Sequence, residues 1–365
     1  MTQIPKTMQA FVLMGHGDFD QLQWQESWPV PELSDGEVLI KVGACGLNNT
    51  DVNTRTAWYS KAVSENTTGG AFDEADDDDA TWGGAAVSFP RIQGADVVGM
   101  VVALGKGANP DLLGKRVMID TWLRDWDDAY NRDKCGYYGS ECDGGFAEFT
   151  KIDQRHVHPV NSPLSDAELA TFATSYITAE NMLEKAKVTK GDTVLITGAS
   201  GGVGGALIQL ANRRGATTIA LSGKAKMANV KAVGAHHVID RDTNNLKADL
   251  KAAIGKDTIS VLADVVGGDS WPDWLDCIER GGRLTCAGAI AGPMVSFDLR
   301  TFYLRDLTFT GATITPPDLF ARLVSYIEDG DLKPVLAASF PLAELHDAQR
   351  AFIAKAHNGN IVVCP

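Results

Sequence analysis

The run Val194-Leu-Ile-Thr-Gly-Ala-Ser-Gly-Gly-Val-Gly-Gly-Ala-Leu-Ile-Gln-Leu-Ala211 constrains this chain more than any other part of it. A short β-branched segment, suited to a buried parallel strand, breaks into a glycine-rich turn and then an apolar helix. Gly201 has no Cβ, so the backbone there can come close to a pyrophosphate, while Gly204 lets the helix pack tightly on its strand. The first free N–H groups of such a helix form an anion site. A second strand at 217–221 closes a strand–helix–strand unit of the required length. Ser200, Gly201, Gly202 and Val203 are therefore the expected contacts of a dinucleotide phosphate.

The rhythm around this motif defines its domain. Strand candidates at 193–197, 217–221, 237–239, 259–265, 283–287 and 306–313 alternate with amphipathic stretches near 203–214, 225–233, 245–254 and 271–280. The helical stretches end at Gly215, Gly234, Gly255 and Gly281, where a left-handed cap costs least for glycine. Six strands with crossover helices predict an α/β fold, a doubly wound parallel sheet over residues 166–315. Residues 1–165 follow another pattern, with short strands at 8–13, 37–44, 96–104 and 116–120 broken by Gly, Pro, Asn and Asp. That pattern predicts a small, strongly curved β domain. The tail, 316–365, holds an amphipathic helix at 319–328 and an apolar strand at 360–364, and is expected to rejoin the first domain. A chain of 365 residues accommodates two domains naturally.

Composition excludes several classes. A formal net charge of −14, with no compensating run of Lys and Arg, argues against nucleic acid as a partner. Cysteines at 45, 135, 142, 277, 286 and 364 are too scattered for a disulfide framework and fit reduced thiols in the cytoplasm. Residues 1–17 lack a basic start followed by an apolar stretch, and no apolar run reaches the roughly 18 residues of a membrane span. The expectation is a soluble cytoplasmic protein with no membrane partner. The segment 61–88 stands apart, carrying Glu65, Asp73, Glu74 and Asp76–Asp79 among Gly, Ala and Thr. It reads as a solvated insertion. A lid or a divalent-cation site are the other readings, although the acids lack the spacing and turn glycine of a calcium loop.

The end of the second strand selects the cofactor. A carboxylate there would bond the adenosine ribose and repel a 2′-phosphate, by about 4 kcal/mol per charge pair at about 4 Å and an effective dielectric near 20. Here the strand ends Leu221-Ser-Gly-Lys-Ala-Lys226, without an acid. Ser222 can donate a hydrogen bond, Lys224 or Lys226 can pair with phosphate, and Arg241, just after the third strand, can reach the same pocket. NADPH is expected over NADH.

Four motifs in this domain order resemble the medium-chain dehydrogenase/reductase superfamily: Gly-Ala-Ser-Gly-Gly-Val-Gly at 198–204, Asp264-Val-Val-Gly-Gly268, Gly281-Gly-Arg-Leu-Thr-Cys-Ala-Gly288 and Asp143-Gly-Gly-Phe-Ala-Glu-Phe149. The similarity runs through almost the whole chain, apart from insertions at about 61–88 and 122–140. It implies a GroES-like catalytic domain beside a Rossmann domain. It also implies cofactor contacts at Val266 and Gly267, and at Ala287 and Gly288 bordering the nicotinamide, with Thr178 as a cofactor contact or a helix cap. Members often pair through the last strand of the sheet, here 307–314, so the resemblance implies a homodimer.

The superfamily divides on zinc. The places that match the catalytic zinc ligands are Asn48 in Gly46-Leu-Asn-Asn-Thr-Asp51, Ala95 in Gly94-Ala-Asp-Val-Val-Gly99, and Thr174 before Ser175-Tyr-Ile-Thr178. None is a good zinc ligand, and Asp96 alone cannot hold the ion. Cys135 and Cys142 are two thiols where a structural zinc would need four. The resemblance thus points to the zinc-independent quinone oxidoreductases and 2-enoyl thioester reductases, with no metal. In the enoyl reductases a tyrosine that is the proposed proton donor stands where Tyr59 falls, and the same spacing occurs in quinone reductases. Tyr59 is therefore the expected acid, with Asn48 and Asp51 shaping the pocket. Trp58, Trp122, Trp126, Tyr137 and Tyr138 are expected on loops rimming a roomy cleft. The residues leave open a quinone or an activated C=C acceptor, zinc-free alcohol or aldehyde chemistry, and a module that binds NADPH without turnover. No basic patch marks a coenzyme A site.

Overall fold

A computed structural model of the chain describes residues 4–67, 80–83 and 86–365. Asp73, Glu74 and Asp76–Asp79, on which the lid and cation readings rest, lie outside the described residues. The chain divides into two compact units. The first comprises the described residues within Met1–Val63, Thr68–Thr174 and Phe320–Pro365, and the second Ser64–Thr67 with Ser175–Leu319.

Unit 1 begins with an antiparallel pair, β1 (Thr7–Leu13) and β2 (Leu22–Pro29). There follow β3 (Glu37–Gly46), α1 (Asn49–Arg55), β4 (Asp96–Leu104), β5 (Arg116–Ile119), the short β6 (Trp122–Leu123) and β7 (Gly136–Tyr137), β8 (Phe149–Asp153) and β9 (Val157–Pro159). Next come α2 (Asp166–Leu169) and the start of α3 (Ala173–Lys185). The β-branched residues that favour pleated backbone also fill the core: Val38, Ile40, Val97, Val101, Val117 and Ile119 are all buried. Burial of each side chain of this kind stabilises the unit by about 1.5–3 kcal/mol. Arg116 of β5 donates from Nε to Asp166 Oδ1 at 2.6 Å, which fastens α2 to this unit. The division between units accordingly falls after Thr174, not at the expected 165/166.

Unit 2 is a six-stranded sheet of β10 (Thr193–Ile196), β11 (Thr217–Ser222), β12 (His237–Asp240), β13 (Ile259–Asp264), β14 (Ile278–Cys286) and β15 (Thr308–Gly311). Its order is β12-β11-β10-β13-β14-β15, with every neighbour parallel. In chain order that is 3-2-1-4-5-6, and it reverses between β10 and β13, where doubly wound sheets bind ligands at the carboxyl ends of their strands. Helices α4 (Gly202–Arg213), α5 (Met227–Val233) and α6 (Leu246–Ile254) cross between the first strands. Gly234 and Gly255 cap α5 and α6 with φ of 118° and 76°.

The expected helix at 271–280 is a correction. Helix α7 (Trp271–Leu275) stops early, and β14 begins at Ile278, whose buried side chain pairs the strand with Ile259 before the register jumps to Val261 opposite Arg283. Gly281 does adopt a left-handed φ of 74°, but inside this bulge and not at a helix end. Thr178 is likewise an interior residue of α3, so it is not a cap. After α8 (Leu299–Tyr303) and β15, helix α9 (Leu319–Glu328), β16 (Leu336–Pro341), α10 (Leu345–Ile353) and β17 (Asn360–Cys364) follow. Strand β17 lies antiparallel to β3, with Val362 opposite Gly46, in the sheet order β16-β17-β3-β4-β5-β9. Among the described residues no helix is long and apolar enough to cross a membrane.

Candidate functional site

Strand β3 delivers Asn48 to the start of α1, where it caps the helix, and Asp51 Oδ2 accepts the Asn48 N–H at 2.7 Å as the return arm of a capping box. The sequence that reads as a helix start thus also buries a carboxylate. Burial pushes the Asp51 carboxyl up to about 7 against the pull of the Asn48 N–H, and the charge of Asp96 adds to the rise. Asp96 opens β4 and is fully buried. Burial raises its carboxyl to about 6, opposed by hydrogen bonds from Thr174 and by the facing Asn48 amide.

Three side chains continue this cluster. Thr174 donates to Asp96 Oδ1 from its N–H at 3.0 Å and from its hydroxyl. The Tyr137 hydroxyl bonds Thr174 Oγ1 at 2.7 Å. Burial, followed by the charges of Asp96 and Asp51, raises the Tyr137 phenol well above its ordinary value. Tyr59, half-buried, is raised in the same direction by burial, with Thr50 and Asn53 hydrogen-bonding its hydroxyl and Trp58 packed edge-on at 5.7 Å. Asn48 Nδ2 and Asp96 Oδ2 are buried and complete no hydrogen bond among the described residues. Asn48, Asp51 and Tyr59 therefore stand on one electrostatically connected cluster. Of the rest of it, the sequence had placed Asp96 and Thr174 only in the comparison with zinc ligands and Tyr137 only among the rim aromatics. A charged residue opening an apolar strand, Asp96-Val-Val, was the available signal for the first of these.

The aromatic rim needs correcting. Tyr138 is fully buried, with its hydroxyl on Thr150, and belongs to the core. Trp122 and Tyr137 are buried as an edge-to-face pair at 5.3 Å across β6 and β7. Trp126 packs on His156 at 5.1 Å. A cavity of about 410 Å³ in unit 1, lined by Trp28, Phe149, Ile152 and His156 among others, includes none of the cluster residues.

In unit 2 the glycine turn follows β10. A Cβ at Gly204 would lie 2.2 Å from the Gly198 carbonyl oxygen, so α4 can approach the turn only with glycine there. At Gly201 the nearest such contact is 3.5 Å, leaving the space above the turn open, and Gly202 and Val203 begin α4. Asp264, buried at the end of β13, accepts from Thr197 Oγ1 at 2.5 Å and from the N–H of Val266 at 2.9 Å, fixing the Val266–Gly267 turn beside the first. Ala287 donates its N–H to the Asp264 carbonyl at 3.1 Å, and Gly288 passes so near Val265 that a Cβ would meet its carbonyl at 3.0 Å. All these turns lie at carboxyl ends of strands.

The basic residues meet where β11 ends. Arg241 lies over Gly223, its Nε 3.6 Å from where a Cβ would be, and its N–H bonds the Ser222 carbonyl at 3.0 Å. Burial and then the Arg241 charge lower the Lys226 ammonium, as expected for two cations facing a place for an anion. Ser222 is buried beside them. One acid was missed: Asp240, opposite Ser222 on β12, is offset by Lys224 at 3.5 Å. A cavity of about 270 Å³ lined by Leu221, Arg241, Thr243 and Trp274 adjoins the group.

A zinc ion does not fit the first cluster. The matching places present an amide (Asn48), a methyl (Ala95) and a hydroxyl (Thr174), and among the described residues no three His, Cys, Asp or Glu side chains could hold a metal.

A nucleotide-type parallel sheet joined to a curved β unit defines a two-domain dehydrogenase/reductase. Residues 34–162 match the family model described as alcohol dehydrogenase GroES-like domain, and 202–329 the one described as zinc-binding dehydrogenase. A solved structure from Sinorhizobium meliloti 1021, provisionally assigned as an alcohol dehydrogenase, is 42% identical, with a TM-score of 0.90 over 100% of this chain and 98% of that one. The chloroplastic NADPH-dependent alkenal/one oxidoreductase of Arabidopsis thaliana is 27% identical over 99% of this chain and 81% of its own length. Quinone oxidoreductase of Rattus norvegicus is 25% identical over 95% and 94%. The chain belongs to the medium-chain dehydrogenase/reductase superfamily, in its quinone oxidoreductase and enoyl reductase branch, and is an oxidoreductase.

Proposed function

We propose that this protein is an NADPH-dependent, zinc-independent reductase that passes hydride to a quinone or to a C=C conjugated with a carbonyl. The observation that carries the reading is the cluster of Asn48, Asp51, Asp96 and Thr174 beside Tyr59, hydroxyl and amide donors where zinc relatives place a metal. The cofactor would rest its pyrophosphate on Ser200, Gly201, Gly202 and Val203. Its 2′-phosphate would meet Ser222, Lys224, Lys226 and Arg241, and its nicotinamide end would lie toward Thr178, Val266, Gly267, Ala287 and Gly288. The NADPH named in the Arabidopsis relative supports this choice. Bound NADPH would supply the hydride.

For an enone, the electron pair of the new β C–H bond comes with the hydride, and the C=C pair shifts to leave charge on the carbonyl oxygen. Tyr59 then gives its phenolic proton to the α-carbon, its O–H bond breaking as the C–H bond forms, and solvent restores the phenol. Asn48 helps hold the oxygen, and Asp51 fixes the loop that carries Asn48. A quinone can take its proton from water and needs Tyr59 less.

A homodimer is part of the proposal: β15 is the outer strand of its sheet, and Leu299, Tyr303 and Leu304 nearby are exposed. Six free thiols favour a reducing compartment, the cytoplasm. The test is anaerobic NADPH oxidation, with NADH as comparator, against a panel of enones and quinones, on wild type and Tyr59→Phe whose mass is fixed by sedimentation. We expect Tyr59→Phe to lose about 10²-fold on enones and little on quinones. Tight NADPH binding with no turnover of any acceptor would refute the enzyme reading.

A further inference from the structure

We propose that Tyr137 donates the hydrogen bond to the acceptor's carbonyl oxygen, held and aimed through Thr174 by Asp96. This rests on the reductase reading above and assigns the part a metal plays in zinc relatives.

Thr174 Oγ1 has one hydrogen and gives it to Asp96, while its N–H goes to the same carboxylate oxygen. With Asp96 ionised, Tyr137 must therefore spend its own hydrogen on Thr174 Oγ1, the bond observed at 2.7 Å. A ligand then meets only the lone pairs of the Tyr137 oxygen. When Asp96 holds a proton on Oδ1, the oxygen that faces Thr174, the chain turns round: Asp96 donates to Thr174, Thr174 donates to Tyr137, and the Tyr137 O–H is released. The bond between Tyr137 and Thr174 is only partly buried, and the exposure is on the Thr174 side, since Tyr137 itself is buried.

Asp96 is the group that sets the direction. It faces Thr174 at the start of α3, Asn48 before α1, Asp51 within α1, Cys45 on β3 and Tyr137 on β7. The tyrosine itself stays neutral, because burial and the two carboxylates hold its phenol well above the ordinary range. It is thus a donor that does not ionise. The reaction step balances with no bond to hydrogen broken at Tyr137: the hydride pair forms the β C–H bond, the C=C pair moves toward oxygen, and the Tyr137 O–H bonds the resulting oxyanion. Tyr59 remains the proton source for the α-carbon. Packing does not require the Tyr137 hydroxyl, since the contact with Trp122 is made by the ring. Asp96 and Thr174 are positioning residues.

The full chain is tested as wild type, Tyr137→Phe, Thr174→Val, Thr174→Ser and Asp96→Asn. Two readouts are taken across pH: kcat/KM for a cyclic enone with NADPH, and the affinity of a saturated ketone with NADP⁺ followed by tryptophan fluorescence. Wild type should weaken as pH rises, along a limb near the value of about 6 to which Asp96 is pushed. Ketone affinity should fall about tenfold across it, the worth of one hydrogen bond. Tyr137→Phe should lower enone kcat/KM by about 10²-fold and lose the limb. Thr174→Val and Asp96→Asn should also lose the limb, and Thr174→Ser should keep it.

A Tyr137→Phe protein within threefold of wild type and with its limb intact would overturn the proposal. So would ketone binding that is absent, or indifferent to both pH and Tyr137. If no acceptor is reduced but ketone binding shows the limb and loses it in Tyr137→Phe, the reductase reading fails and the Tyr137 assignment stands.

Discussion

Replacing Gly201 with alanine separates cofactor binding from folding. Gly201 adopts φ −87° and ψ 177°, which alanine adopts without strain, and the new Cβ would meet nothing of the protein nearer than 3.5 Å. Two small terms then oppose each other. Alanine restricts the unfolded chain, which stabilises by about 0.4–1 kcal/mol. As the residue capping α4, alanine is poorer than glycine by a similar amount. The sum is near zero, so Tm without cofactor should move by no more than about 2 °C. The same methyl would project where the turn must approach the pyrophosphate. Losing one charge-assisted hydrogen bond costs about 1.5–3 kcal/mol, or roughly 10- to 150-fold in Kd for NADPH. Gly204→Ala is the contrast: its Cβ would sit 2.2 Å from the Gly198 oxygen and 2.5 Å from Ala199 Cα, overpacking of about 1–3 kcal/mol that should lower Tm even without cofactor. Thermal melts and NADPH titrations read both quantities. A Gly201→Ala protein that binds NADPH within twofold of wild type, or melts more than about 5 °C lower, would refute the reasoning.

Removing both Lys226 and Arg241 should raise KM for NADPH by about 30-fold and leave NADH unchanged, since each cation is worth about 1 kcal/mol against one phosphate charge in a water-like dielectric, about 2 kcal/mol together; equal losses with both cofactors would count against the 2′-phosphate site. Asp51 carries a stability prediction. Its folded-state pKa of about 7 exceeds the unfolded value of about 3.9, so between those limits the native state keeps a proton that unfolding releases. Stability therefore falls as pH rises from about 4 to about 7. Asp51→Asn keeps an oxygen for the Asn48 N–H and should make the Tm profile shallower in that window, whereas a profile parallel to wild type would show the carboxyl does not titrate there.

Unit 2 was readable because its signals are local. Strand, turn and helix around Gly198–Gly204 sit within twenty residues, and β11, β13 and α6 fall within a residue or two of expectation. Where two local signals conflicted, the sheet decided: Gly281 reads as a helix cap by composition, yet Ile278 gains more by pairing with Ile259. The cluster in unit 1 was half legible. Asn48, Asp51 and Tyr59 share one short segment, whereas Asp96, Tyr137 and Thr174 come from three separate ones, 78 residues apart between the first and last. Nothing local tells a hydrogen-bonded hydroxyl pair such as Tyr137 and Thr174 from two loop residues. Asp240 was missed for the same reason, since only the β11–β12 register sets it against Ser222.

Strand β17 bears on how the polypeptide is made. It covers the edge of β3, and Arg55, buried after β3, donates to Gln349 of α10 across 294 residues. Every strand of the parallel sheet is synthesised before α10, so the nucleotide half can mature while the ribosome is still at work. The other half waits with one flank bare until β17 has been made, and a chain cut before β17 would leave it unfinished.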